Sequence, residues 1–368
     1  MPLAVSSYEH LQALADRDDV LLLAWTVDEQ ACLGADLPEV LRAEITRQRE
    51  HGEAFAAGPE SDPHGEAVLR PTLVERFWPA LAGEGCSVTC AAGVNALLHG
   101  LSALAASGAV WVIGDAYPDY PHWVGYARGH CRHAPTMVAG QSSSAAVAAH
   151  IDRARACAAA VVLIDRPNLG GVDLPLDAVC ELANALRVRG TVVVVDESYA
   201  NYLAPDFSAA TLLAEAPNLC VLRGLSKGYQ LGSLRLGIAL AGARATARVR
   251  AAIVPAQVSP LSLRLARAVL ALGDITMPLR ERVAENKPQM IAWLARLGID
   301  ALPLASPVPY LFLDDLEAAP RCLEARGVIG KRQPYWSADS GQIAYRYRLS
   351  VPLAPHRRDD LRCRLATA

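Results

Sequence analysis

Residues 224–237 read GLSKGYQLGSLRLG, and this stretch decides the fold. One lysine, Lys227, stands among small residues, and Arg235 follows eight positions later. The run Asn218-Leu219-Cys220-Val221-Leu222 lies before it, and Leu236-Gly237-Ile238-Ala239-Leu240-Ala241 comes after. Both runs are expected as short buried strands. The lysine is therefore expected on a turn between two core strands, where a chain presents a reactive group at a sheet edge. Near a core a charged ammonium is costly, so its pKa is expected to fall and its amine to become a usable nucleophile. The glycines let a bulky ligand approach the backbone.

Alone, a lysine in a Gly-rich loop reads as a surface group. Two other stretches argue against that. VVVVDESYANY (192–202) is a β-branched run ending in Asp196, with Tyr199 three residues on. DRPNLGGVDLP (165–175) reads as a strand end, a Pro-Asn turn, Gly170-Gly171 and a later Pro175. Asn168, Asp196, Lys227 and Arg235 thus fall in order at the C-terminal ends of successive expected strands, where open parallel sheets bind ligands.

With Asn, Asp-x-x-Tyr, Ser-Lys and Arg at these spacings, the chain resembles the pyridoxal-phosphate enzymes of fold type I. It is most similar to the aminotransferase class I/II group and its histidinol-phosphate aminotransferase-like branch. The resemblance covers roughly residues 60–360. It implies an α/β fold: a large domain with a mostly parallel doubly wound sheet, plus a smaller α+β C-terminal domain. The expected division is an N-terminal arm at 1–50 belonging to the small domain, a cofactor domain at 51–250, and the small domain at 251–368.

The strand-helix alternation from 86 to 241 independently argues for a parallel doubly wound sheet. CSVTCAAGVNALLHGLSALAA (86–106) reads as strand, tight turn and helix, and a helix N-terminus suits a phosphate. By resemblance, the backbone of Gly93 and Val94 would hold the cofactor phosphate with Ser226 and Arg235. Tyr117, in the loop after AVWVIGD, would stack on the pyridine face. Lys227 would bind the pyridoxal 5'-phosphate aldehyde and then move the substrate α-proton. Asp196 would pair with the pyridine nitrogen, while Asn168 and Tyr199 would bond the ring's 3-oxygen. In IAYRYRLSV (343–351), Arg348 matches the arginine that forks onto the substrate carboxylate, and Arg346 is the rival on the same strand face.

Several positions depart from the family pattern. The usual Asn-Pro-Thr-Gly is Asn168-Leu169-Gly170-Gly171, and the hydroxyl residue often found three before the lysine is Gly224. Where many members carry a tyrosine reaching the partner subunit's cofactor, this chain has Glu60. The N-terminal substrate segment is TVDEQACLG (26–34), whose Asp28 and Glu29 are expected as an exposed acidic turn, with contact to a basic substrate side chain as the alternative. The substrate-facing parts are unusual, which suggests a specialised, non-proteinogenic amino acid. The leading expectation is amino transfer between an amino acid and a 2-oxo acid. The alternative is decarboxylation, or elimination with cyclisation as in capreomycidine synthase-like relatives.

Composition bounds these readings. The chain has 368 residues, 52% hydrophobic and 20% charged, which implies a well-buried core. A net charge of −3 gives no basic footprint for nucleic acid. Nine cysteines without a CxxC pair indicate neither a disulfide framework nor a zinc site, and the scattered His122, His130 and His133 give no metal-ligand spacing. No basic n-region and no apolar run of ~20 residues is found, so a cytoplasmic setting without a membrane span is expected. No G-x-G-x-x-G follows a strand, which argues against a nucleotide-binding dehydrogenase. By resemblance, a homodimer is expected.

Overall fold

The computed structural model describes residues 8–15, 17, 19–52, 58–137, 141–169, 172–302 and 306–366. Gly170 and Gly171 lie outside the described residues. The strands are β1 (Leu21–Leu22), β2 (Ser87–Ala92), β3 (Ala109–Ile113), β4 (Cys131–Ala134), β5 (Ala159–Asp165) and β6 (Val192–Asp196). They continue with β7 (Leu219–Gly224), β8 (Leu236–Ala241), β9 (Tyr310–Leu313), β10 (Val328–Ile329), β11 (Lys331–Trp336) and β12 (Ile343–Ser350).

Seven strands form the large sheet in the order β2-β8-β7-β6-β5-β3-β4. The apolar runs become strands buried on both faces, as continuous β-branched sequence requires. Val193 and Val195 of β6 face one core with Leu69, Leu73, Val179 and Leu182. Val192 and Val194 face the other with Leu97, Leu98, Leu101 and Val249. Each fully buried side chain of this size contributes about 1.5–3 kcal/mol of transfer free energy. Helix Pro260–Leu270, beyond residue 250, shares the first of these cores through Leu263, Ala266 and Val269.

The sheet is mostly parallel, with one reversal. β8 runs antiparallel to both β7 and β2. Arg235 therefore stands at the start of β8, not at a strand's C-terminal end. Because β8 is reversed, its start lies at the same sheet edge as the ends of β5, β6 and β7.

A second core surrounds β9 and β12, with Leu279, Val283, Met290 and Leu294 of helix Met277–Arg296 and with Leu21 and Leu23 of the N-terminal arm. β1 pairs in parallel with β10, and β12 lies antiparallel between β11 and β9. The hairpin of β11 and β12 docks on the large sheet edge. Ala116 and Trp336 exchange two backbone bonds of 3.1 Å, and Asp115 accepts from the Ala338 N–H at 3.0 Å.

Candidate active site

Lys227 lies on the loop between β7 and β8, as expected. Buried Leu225, Tyr229 and Leu231 anchor this loop, and the Leu231 N–H closes it on the Leu225 carbonyl at 2.9 Å. Gly228 has φ of +76°, and a Cβ there would sit 2.8 Å from the Asn201 Cβ. Ser226 is half-buried beside the lysine. Gly224 has its own reason: a Cβ would press to 3.1 Å from Cγ2 of Val94.

The Lys227 amine stands 5.6 Å from the centre of the Tyr199 ring. That ring meets Tyr310 edge-on, with centroids 5.9 Å apart. The phenols of Tyr199 and Tyr310 hold the Lys227 ammonium above the ordinary lysine range, outweighing burial. The expectation of a lowered pKa is thus corrected for the free chain. Desolvation acts as supposed, but the two phenol groups beside the amine outweigh it.

Asp196 ends β6 and is 8% exposed. Its Oδ1 accepts from the Ser198 N–H at 3.0 Å and from the Ser198 hydroxyl at 2.6 Å. Oδ2 has no hydrogen-bond partner among the described residues. Burial raises the Asp196 pKa, with Ser198 opposing. Asp165 is its register partner on β5, and burial beside Asp196 and Asp115 pushes the Asp165 carboxyl well up. Asn168 follows a cis Arg166-Pro167 bond, is buried, and donates its N–H to Asp173 at 2.6 Å.

Gly93 precedes helix Val94–Ser102, whose opening turn leaves N–H groups without intrahelical acceptors. Gly93 has φ of +90°, and a Cβ there would lie 2.8 Å from Nη2 of Arg235. Among the described residues Arg235 bonds carbonyls alone, those of Gly232 at 3.4 Å and Ala92 at 3.3 Å. The Tyr117 hydroxyl accepts from Asn95 at 2.9 Å, and its ring stacks on Trp123 at 5.6 Å. Together, a helix N-terminus and an arginine with no carboxylate partner among the described residues make an anion cradle.

Arg348 is 6% exposed. It lies 4.8 Å over the Tyr310 ring and donates Nε and Nη2 to the Ala24 carbonyl. No carboxylate among the described residues pairs with it. Its rival Arg346 is taken by Asp115 at 2.9 Å and Asp314 at 3.5 Å. Asp28 and Glu29 are not an exposed turn. The Asp28 Oδ2 accepts the N–H groups of Leu353 at 2.9 Å and Ala354 at 2.7 Å. Glu29 is 1% exposed, accepts the Tyr202 hydroxyl, and has its pKa raised by burial. Satisfied donors permit that burial. Glu60 is exposed.

Sequence reading missed four neighbours of the lysine. Tyr310 was legible only as an alternating strand residue. Lys331 is the register partner of Arg348, and burial with Arg348 and Lys227 nearby lowers its pKa. Glu197 and Arg223 carried a signal: Glu197 adds a second acid directly after Asp196 at the end of the valine run, and Arg223 is a lone charge at the end of another apolar run. They pair at 3.0 Å with Glu197 fully buried.

The family model described as aminotransferase class I and II matches residues 27–343. The chain belongs to the aminotransferase class I and II family. A histidinol-phosphate aminotransferase of Gloeobacter violaceus is 28% identical over 305 residues, 79% of this chain and 80% of that protein. One of Stenotrophomonas maltophilia is 36% identical over 193 residues, 50% of this chain and 51% of that protein. With several such relatives the similarity thus spans about half of their length. The fold matches a histidinol-phosphate aminotransferase of Sinorhizobium meliloti, solved in complex with pyridoxal-5'-phosphate. The TM-score is 0.71 at 20% identity, covering 97% of this chain and 92% of that one. A Porphyromonas gingivalis L-threonine-O-3-phosphate decarboxylase shares the fold with a TM-score of 0.68 at 17% identity, covering 94% and 98%. No helix among the described residues is long and apolar enough to cross a membrane.

Proposed function

We propose that this chain transfers an amino group between an amino acid and a 2-oxo acid with pyridoxal 5'-phosphate bound at Lys227. The observation that carries this is Asp196: a buried carboxylate, with one oxygen free of hydrogen-bond partners among the described residues, at the sheet edge that bears the lysine loop. A protonated pyridine nitrogen is the partner such an oxygen suits. The anion cradle of Gly93, Val94 and Arg235 suits the phosphate, with Ser226 adding a hydroxyl. Tyr117 offers a ring face, and Asn168 and Tyr199 offer donors to a ring oxygen.

The cofactor, when bound, supplies the electron sink that weakens bonds at the substrate α-carbon. The chain does the rest. Arg348 orients the substrate carboxylate through its fork while Ala24 and Tyr310 fix its plane. Lys227 takes and returns the α-proton through Nζ, with the Tyr199 ring facing that nitrogen. The buried Asp196 would hold positive charge on the ring nitrogen. A specialised amino acid fits the unusual segment 26–34, and a homodimer is proposed with Glu60 on the surface.

Purified protein with added cofactor should be yellow. Borohydride should fix the cofactor to one of three lysines, Lys227, Lys287 or Lys331, and peptide mapping should return Lys227. Incubation with amino donors and no acceptor should convert the cofactor to its amine form. Carbon dioxide release without that conversion would favour decarboxylation, and a cyclised product would favour the eliminating reaction. Light scattering at micromolar concentration checks the dimer.

A further inference from the structure

Asn201 holds the lysine loop. It is 6% exposed, and its Nδ2 donates to the carbonyls of Gly224 and Lys227, each at 2.7 Å. Its Oδ1 accepts from Nη2 of Arg223 at 2.7 Å. Arg223 in turn donates Nη1 to Glu197 Oε2 at 3.0 Å, and Glu197 Oε1 accepts the Ala209 N–H at 2.7 Å. Arg166, two residues before Asn168, approaches the same carboxylate at 3.5 Å.

This chain of bonds has a direction. Arg223 can only donate, so it fixes which end of the Asn201 amide is the acceptor. The two amide hydrogens must then face the two carbonyls. Those carbonyls belong to the first and last residues of the turn 224–227, so the turn cannot rotate without breaking a bond. Gly228, packed on the Asn201 Cβ, closes the other side. Tyr199, whose ring faces the lysine amine, lies two residues before Asn201 in the same short segment.

We infer that Asn201 is a positioning residue for Lys227: its amide clamps the carbonyls of Gly224 and Lys227 and sets where the lysine amine stands against the Tyr199 ring. The inference rests on the reading of Lys227 as the cofactor lysine. The clamp acts through the main chain and touches neither substrate nor cofactor.

Asn201→Asp separates the clamp from the fold. It keeps the shape and an acceptor for Arg223, yet turns two donors into an acceptor facing two carbonyls. Asn201→Ala removes every bond. Both are compared with wild type by kcat per cofactor-loaded site, by KM for the amino donor, and by the pH midpoint of the cofactor's visible absorbance. Thermal melting of each apo chain is the fourth measurement. The expected result is a kcat loss of about 10- to 100-fold with little change in KM, since ~1 Å of misplacement costs that much. The absorbance midpoint should move by about half a unit or more in both variants, with the Asp variant melting closer to wild type than the Ala variant. Variants that melt lower or load less cofactor, but keep the wild-type midpoint and kcat per loaded site, overturn the clamp. A wild-type chain with no visible band removes the cofactor reading and the clamp together. A wild-type band with unchanged variants removes the clamp alone.

Discussion

Gly237→Ala is the most direct probe of the anion cradle. Gly237 is the second residue of β8 and pairs in register with Ala91 of β2. A Cβ there would lie 2.4 Å from the carbonyl carbon of Gly93, 2.6 Å from the Val94 nitrogen and 2.7 Å from the Gly93 oxygen. All three are backbone atoms, so no side-chain rotation relieves the overlap. Carbon contacts begin near ~3.5 Å, so Gly93 and Val94 must retreat by about 1 Å. That retreat carries the first turn of helix Val94–Ser102 away from Arg235. Overpacking of this kind costs about 1–3 kcal/mol of stability. A hydrogen bond to a charged oxygen contributes about 1.5–3 kcal/mol, so losing one raises the cofactor Kd about 10- to 100-fold. Urea unfolding of the apo chain and titration with pyridoxal phosphate measure the two effects. A variant that unfolds earlier yet binds the cofactor with wild-type affinity refutes the cradle; one that changes in neither refutes the packing as well.

Three further outcomes are expected. Arg348→Gln keeps a donor but loses the fork, so kcat/KM for the amino donor should fall about 10- to 100-fold while cofactor binding is unchanged. Glu197→Gln leaves Arg166 and Arg223 buried around a neutral amide and should cost about 3–5 kcal/mol by denaturant unfolding. Lys287 is 3% exposed, donates to the carbonyls of Ser306 at 2.6 Å and Val308 at 3.0 Å, and has its pKa lowered by burial from 10.5 to about 8. Below pH 8 both folded and unfolded chains carry this proton, and the burial penalty is in full force. Between about 8 and 10.5 only the unfolded chain carries it, so folded stability rises with pH. Relative to Lys287→Met, wild type should gain on the order of 3 kcal/mol across that window. Unfolding midpoints of the two proteins at pH 7.5 and 10 give the comparison, and parallel curves would exclude the shift.

The strand runs and the residues at their ends could be read because each carries its own local signal. β6 is four valines closed by a charge, and the lysine loop is a cluster of small residues between two apolar runs. The direction of β8 is not written in its composition, since a six-residue buried run looks the same either way. Its connection is informative: residues 225–235 hold no α-helix, only a single 3-10 turn at Gly232–Leu234, and parallel neighbours ordinarily need a longer crossover. The electrostatics were less legible. The Lys227 ammonium is held up by Tyr199 and also by Tyr310, which arrives from a distant strand. The burial of Glu29 depends on the Tyr202 hydroxyl. The clamp on the lysine loop needs Asn201, Arg223 and Glu197 together, and no pairwise spacing announces a three-body arrangement.

The bond from Arg348 to the Ala24 carbonyl joins residues 324 apart in the chain. Ser350 strengthens the same seam, its N–H meeting the Leu23 carbonyl at 2.7 Å and its hydroxyl meeting that of Trp25 at 3.0 Å. During synthesis, Ala24 must wait for 324 further residues to be added before the guanidinium of Arg348 finds its brace. A nascent chain can thus complete its central sheet and lysine loop well before this seam closes.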